Sequence, residues 1–210
     1  MAVKNILKLG ALEAQKTAFL LCDIQEVFRP HIKHFGEVVK VANKMVEAGK
    51  HFNIPVYVSE QNPKGLGHTT QDINLDSVAM VYEKTRFSMF TPELQEKLKK
   101  DIPELSSVVL FGIEVILILL MQKFVRMYGN GDSFLYIEII LACQLNCENI
   151  EFNLNEAYFI NNISSIGGFV TTSESVLFKI MKDKEHPAFR TISKLIKTPT
   201  ADTVWLPSKL

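Results

Sequence analysis

The sequence predicts an α/β fold of three layers: a mostly parallel central sheet with helices on both faces. Three observations carry it. Short apolar runs of strand length alternate with stretches of helical periodicity, the pattern of repeated βαβ units. Four of those runs end at or just before Asp23, Glu60, Lys84 and Gly112, residue types suited to the exposed end of a strand. A length of 210 residues, with 47% hydrophobic and 22% charged, fits one domain with a large core, taken as 1–210.

Each element follows from its local pattern. TAFLLCD (17–23) is an apolar run ending in a carboxylate, a buried strand. GEVVKVANKMVEAGKHF (36–52) sets Val38, Val39, Ala42, Met45, Val46 and Gly49 at helical spacing. IPVYVSE (54–60) and SVAMVYEK (77–84) are the second and third strands. TPELQEKLKKDI (91–102) opens with an N-cap Thr and a first-turn Pro and runs from acids to bases, so it is a helix. SSVVLFG (106–112) is the fourth strand, followed by an apolar helix. FLYIEIILA (134–142) and GGFVTT (167–172) are the fifth and sixth, before helices starting at Ser173 and over 186–197. Right-handed crossovers place the carboxyl ends of parallel strands on one rim, where ligands of such sheets bind.

Composition narrows the partners. The formal net charge is zero, which gives no electrostatic reason to propose nucleic acid or a membrane surface. Three cysteines, Cys22, Cys143 and Cys147, without a recognisable leader, fit a reducing compartment. The chain ends in Ser208-Lys209-Leu210, the tripeptide read by the peroxisomal import receptor. The expected location is peroxisomal or cytoplasmic.

Few residues suggest chemistry. Asp23 and Lys84, at the ends of two strands, form a carboxylate–ammonium pair able to deprotonate a nucleophile and stabilise the resulting anion. SEQNPKGLGHT (59–69) reads as a loop shaping a pocket mouth, with Gly65 and Gly67 for unusual backbone conformations and Gln61 as a polar contact. It lacks phosphate-loop spacing. The five histidines are scattered, and Cys143-x-x-x-Cys147 has no second pair nearby, so neither a metal nor another cofactor is expected.

LLCDIQEVFR, VSEQNPKGLGHT, YEKTRFSM, VVLFGIE and GGFVTTSESVLF, with the later HPAFRTISKLIK and PTADT, resemble the isochorismatase-like cysteine hydrolases, and within them the eukaryotic isochorismatase domain-containing proteins. The resemblance covers 17–114 and 167–207. It implies a Rossmann-like parallel sheet, a homo-oligomer, and an Asp-Lys-Cys triad that attacks small amide, ester or vinyl-ether substrates. It makes Asp23 the general base and Lys84 the group that orients and stabilises the thiolate. Gln25, Phe28, Gln61 and Phe87 become pocket candidates for a small-molecule substrate or ligand. The chain has no Asp-x-His-x-x-His motif of the metal-bearing nicotinamidases.

The departure from the family is as informative. Its nucleophile stands four residues after the Glu of the GIE motif, and that position here is Ile118. An isoleucine has no group that can attack a carbonyl. From Val115 to Ser165 the chain holds eight Ile and seven Asn, and the family pattern fades until Gly167. Two explanations compete: a catalytically inactive binding or interaction protein, or a segment at 115–165 misread from A/T-rich coding sequence. The second is favoured because a decaying site usually loses one residue rather than a whole crossover; an unbroken frame in transcripts contradicts it. Cys143, at the end of the fifth strand, is a further candidate nucleophile. Cys22 is expected to face away from Asp23, because neighbours in a strand point to opposite sides.

Overall fold

The computed structural model describes residues 12–32, 34–113, 137–141 and 169–197, the strands at 137–141 and 169–170 through their backbone alone. The apolar helix expected after Gly112, Ile118, Cys143, Cys147 and the terminal Ser208, Lys209 and Leu210 lie outside the described residues.

Six strands form one sheet: β1 (Thr17–Cys22), β2 (Val56–Gln61), β3 (Met80–Lys84), β4 (Ser107–Gly112), β5 (Ile137–Leu141) and β6 (Phe169–Val170). Their order is β3-β2-β1-β4-β5-β6, and every neighbouring pair runs parallel. The strand order reverses between β1 and β4, so the crevice outside their carboxyl ends is the favoured ligand position of such a sheet. The expected α/β architecture with helices on both faces is what forms.

Every position of β1, β2 and β4 is buried, and burial on both faces explains why their apolar runs, 18–22, 56–58 and 108–111, do not alternate with polar residues. On one face Phe19, Leu21, Val56, Val58, Val109 and Phe111 pack against α1 (Phe35–Phe52). Two later helices cover the same face. They are α4 (Ser173–Met181), through Val176, Leu177 and Ile180, and α5 (Phe189–Ile196), through Ile192. On the other, Ala18, Leu20, Cys22, Tyr57, Tyr82, Val108 and Leu110 meet Leu94 and Leu98 of α3 (Pro92–Asp101). Between β2 and β3 lies a single turn, α2 (Pro63–Leu66).

The local signals act as expected. Thr91 caps α3 by accepting from the Leu94 N–H at 3.2 Å, with Pro92 in the first turn. At the other end of α1, Asn53 takes the left-handed conformation (φ 55°) and its N–H returns to the carbonyls of Gly49 and Lys50. Strand starts shift: β2 begins at Val56 rather than 54, and β3 at Met80 rather than 77, where the Ala79 N–H first reaches the Val56 carbonyl at 2.8 Å. Helix α5 begins at Phe189 rather than 186.

Gly112 closes β4 at φ 143°, and a Cβ there would stand 2.2 Å from the Cys22 carbonyl oxygen. No other residue fits so close to β1. Gly36, in the first turn of α1, has nothing within 4 Å of such a Cβ. Gly112→Ala is therefore expected to lower unfolding stability by about 2–4 kcal/mol. Gly36→Ala should be neutral or gain up to about 1 kcal/mol. Urea titrations of the two variants check this; equal stabilities would contradict the close approach of β1 and β4.

Candidate functional site

The site starts from one backbone angle. Asp23 follows β1 with φ 50°, a left-handed conformation that aspartate tolerates better than most residues. Its N–H still donates to the Ser59 carbonyl at 3.2 Å, but the turn resets the alternation of the strand. The Asp23 carboxylate consequently lies on the α3 side of the sheet, where Cys22, Ser59, Tyr82 and Lys84 also point.

Asp23 and Lys84 side chains are both fully buried, with Lys84 Nζ 2.5 Å from Asp23 Oδ2. Two strands are bridged across the one between them. The ammonium also donates to Gln61 Oε1 at 2.7 Å and to the Phe87 carbonyl at 3.4 Å. The second carboxylate oxygen, Oδ1, accepts from the Ser59 hydroxyl at 2.7 Å. Each charge thus meets several partners, which a buried ion pair needs because its desolvation cost is large. Burial pushes the nearby Tyr82 hydroxyl well above its ordinary value, reinforced by Cys22 and Asp23; Tyr82 remains a neutral donor to the Met89 carbonyl at 2.7 Å.

Contrary to expectation, Cys22 does not face away. Its Sγ lies 3.5 Å from Asp23 Oδ2, because the positive φ of Asp23 turns the two neighbours to the same side. The thiol is fully buried among the residues packed on α3.

Gln25 and Gln61, two of the pocket candidates, meet each other. Gln25 Nε2 donates to the Gln61 carbonyl at 3.0 Å and to the Gly67 carbonyl at 2.5 Å, while its Oε1 accepts from the Gln61 N–H at 2.8 Å. Gln61 Nε2 donates to the Thr85 carbonyl at 3.0 Å, which turns its oxygen towards Lys84. This clasp ties the end of β1 to the end of β2. Phe28 is half-buried against the core, and Phe87 is 59% exposed beside Lys84.

The 62–69 loop is held more tightly than a pocket lip. Gly67 has φ 72°, as anticipated, but Gly65 is helical and the left-handed position is taken by Asn62 (φ 40°). Glu60 is buried at the end of β2. Its Oε1 accepts from the Thr69 N–H and hydroxyl, both at 2.8 Å, and its Oε2 meets His68 Nδ1 at 2.8 Å. Burial acts to raise the Glu60 carboxyl, yet Thr69 and His68 outweigh it and hold it below the ordinary range. His68 is raised, first by its hydrogen bond to Glu60 and then by that charge, with a smaller push from Glu83.

Ser59 and Thr69 were not singled out by sequence, and Glu60 was marked only as a strand end. A serine closing the apolar run VYVS was the available signal for Ser59. Among the described residues no group of three or more His, Cys, Asp or Glu side chains is arranged to hold a metal ion, and no helix is long and apolar enough to cross a membrane. A separate cleft of about 450 Å³ lies between α1 and residues 74–77, lined by Lys40, Lys44 and Lys50 among others, away from Asp23.

With this geometry in place, comparison with known proteins gives a consistent result. The family model described as the isochorismatase domain matches residues 17–116. Isochorismatase domain-containing protein 2 of Xenopus laevis is 34% identical over 201 residues, covering 96% of this chain and 93% of that protein. Isochorismatase domain-containing protein 1 of Danio rerio is 36% identical, covering 95% of this chain. The chain spans about two thirds of that protein's length (67%), and 66% of its Salmo salar counterpart. Among solved structures, one titled as the MAR1 ribonuclease of Caenorhabditis elegans superposes with a TM-score of 0.78 at 26% identity, covering 95% of this chain and all of that one. YcaC of Pseudomonas aeruginosa, with 12% identity and a TM-score of 0.69, shares the fold.

The Glu60–His68 contact sets a pH dependence. His68 is raised on folding, so its contribution is complete below its unfolded value of about 6.5 and fades as pH rises through the higher folded value. Glu60 is lowered on folding, so its contribution is complete above its unfolded value of about 4.5 and fades below it. Hydrogen exchange at residues 62–70, corrected for intrinsic rates, should show stronger protection at about pH 5.5 than at about pH 8.5. The difference should vanish in His68→Ala; an equal difference in that variant would remove His68 from the latch.

Proposed function

This chain belongs to the isochorismatase family, and from that premise we propose that it binds small amide- or ester-like molecules above Asp23 and Lys84 without turning them over. The observation that carries the reading is the pair itself. The described half of the site keeps a base and a cation in contact at the strand rim, at 2.5 Å and fully buried. The motif position from which a thiolate would attack is Ile118. The family's acyl-enzyme forms on a thiolate; Asp23 and Lys84, bound to one another and buried, are left to bind and polarise a ligand. The MAR1 neighbour of Caenorhabditis elegans is named a ribonuclease, but the zero net charge of this chain favours a small neutral ligand over a polyanion.

A second reading rests on Cys22, whose thiol lies 3.5 Å from Asp23 Oδ2 and would restore an Asp-Lys-Cys set within the described residues. Against it, Cys22 lies in β1, its thiol fully buried and packed against the α3 layer.

Wild type, Cys22→Ala, Ile118→Cys and Ile118→Cys with Asp23→Asn, assayed on p-nitrophenyl acetate and simple amides, separate the readings. Wild type should sit at the uncatalysed rate. Ile118→Cys should gain at least about tenfold, and the added Asp23→Asn should abolish the gain. Wild-type turnover that disappears in Cys22→Ala would establish the second reading. No gain in a folded Ile118→Cys protein would overturn the first reading's claim that the site is otherwise assembled.

A further inference from the structure

We propose that Ser59 is a positioning residue for Asp23, selecting which carboxylate oxygen faces Lys84; this rests on the reading of Asp23 and Lys84 as the retained acid–base pair. Ser59 is fully buried near the end of β2, where it pairs with Cys22. It holds Asp23 twice, accepting its N–H at the carbonyl (3.2 Å) and donating its hydroxyl to Oδ1 (2.7 Å). Because an ionised carboxylate only accepts, the serine hydroxyl must be the donor.

The two oxygens of Asp23 are thereby divided. Oδ1 is taken by β2 through Ser59, and Oδ2 by β3 through Lys84. Rotation of the carboxylate would break both bonds together. Without the Ser59 hydroxyl the group is directed by Lys84, on a long flexible stem, and by the weaker Cys22 thiol at 3.5 Å. The left-handed backbone at Asp23 (φ 50°) makes this second anchor more important, since the strand ladder ends one residue earlier. Cys22 Sγ, at 4.0 Å from the hydroxyl, is much the weaker contact, and Tyr82, which also meets Ser59, gives its own proton to the Met89 carbonyl; the Asp23 carboxylate is the charged acceptor of the Ser59 hydroxyl. A general base must be held within a few tenths of an ångström of its productive position, and groups behind it supply that precision.

Thr and Val have nearly the same shape but differ by the hydroxyl, so Ser59→Thr and Ser59→Val isolate the bond. Ser59→Ala adds no volume and guards against overpacking in both. In the Ile118→Cys background, Ser59→Val and Ser59→Ala should each lower kcat about tenfold or more with KM within about twofold, as loss of one hydrogen bond to a charged group implies. Ser59→Thr should restore kcat to within about threefold on the same scale. Equal kcat for Thr and Val would overturn the proposal. Crystal structures of the variants without the Ile118 change decide the matter whether or not Ile118→Cys is active. The Asp23 carboxylate should turn away from Lys84 in the Val and Ala forms and stay in place in the Thr form. An unchanged carboxylate in all three would overturn the proposal. A turned carboxylate with no activity in any Ile118→Cys protein would sink only the hydrolytic ancestry of the pair.

Discussion

A carboxylate and an ammonium, each with a side chain wholly removed from solvent, face one another at 2.5 Å between the ends of β1 and β3. Much of the described structure is arranged so that this contact can exist. Isolated charges in a protein interior cost several kcal/mol each, and removing one partner of such a pair typically costs about 3–5 kcal/mol. The remaining valences must therefore be met locally. Ser59 meets Asp23, and Gln61 and the Phe87 carbonyl meet Lys84. Those partners come from β2 and from the turn after β3, so the pair requires three strands in one register. The register in which Cys22 faces Ser59 and Gln61 faces Lys84 supplies it.

That requirement also explains the density of backbone and amide bonds around the rim. The Gln25–Gln61 clasp locks the exits of β1 and β2 together, and Gly67 accepts from the same glutamine. Glu60, one residue away from both Ser59 and Gln61, pins the far end of the 62–69 loop through Thr69 and His68. The glycine at the end of β4 lets that strand close against Cys22, so the chain leaves the sheet beside Asp23. A rim built this way is pre-organised for chemistry at the strand ends, and a ligand meeting it finds fixed dipoles rather than mobile side chains.

Much of this was legible from residue types and periodicity. The apolar runs placed the strands, the Thr91-Pro92 signal placed α3, and a charged residue at each of two strand ends marked Asp23 and Lys84. The misses have separate physical origins. Strand alternation assumes an extended backbone, and the left-handed turn at Asp23 breaks it, which brings the Asp23 carboxylate round to the side of the Cys22 thiol. Gln25 and Gln61 looked like ligand contacts because a polar side chain at a strand end is ambiguous. Only the register across β1, β2 and β3 reveals that the Gln25 side chain bonds the Gln61 backbone and the Gln61 side chain bonds Lys84 and the Thr85 carbonyl. Glu60 and His68 lie eight residues apart, joined by a turn whose shape depends on a left-handed Asn62 rather than on the glycine that looked more suitable.

The most direct test of a base–cation pair without its thiolate is the alkylation of native protein by iodoacetamide across pH, with each cysteine followed by peptide mapping. An activated thiol reacts at low pH and depends on its charged neighbours. The expected result is that Cys22 stays unmodified and no cysteine reacts faster than a simple thiol, in wild type and in Lys84→Met alike. A cysteine that alkylates rapidly near pH 6 in wild type, and loses that reactivity in Lys84→Met, would contradict the account and identify a working nucleophile.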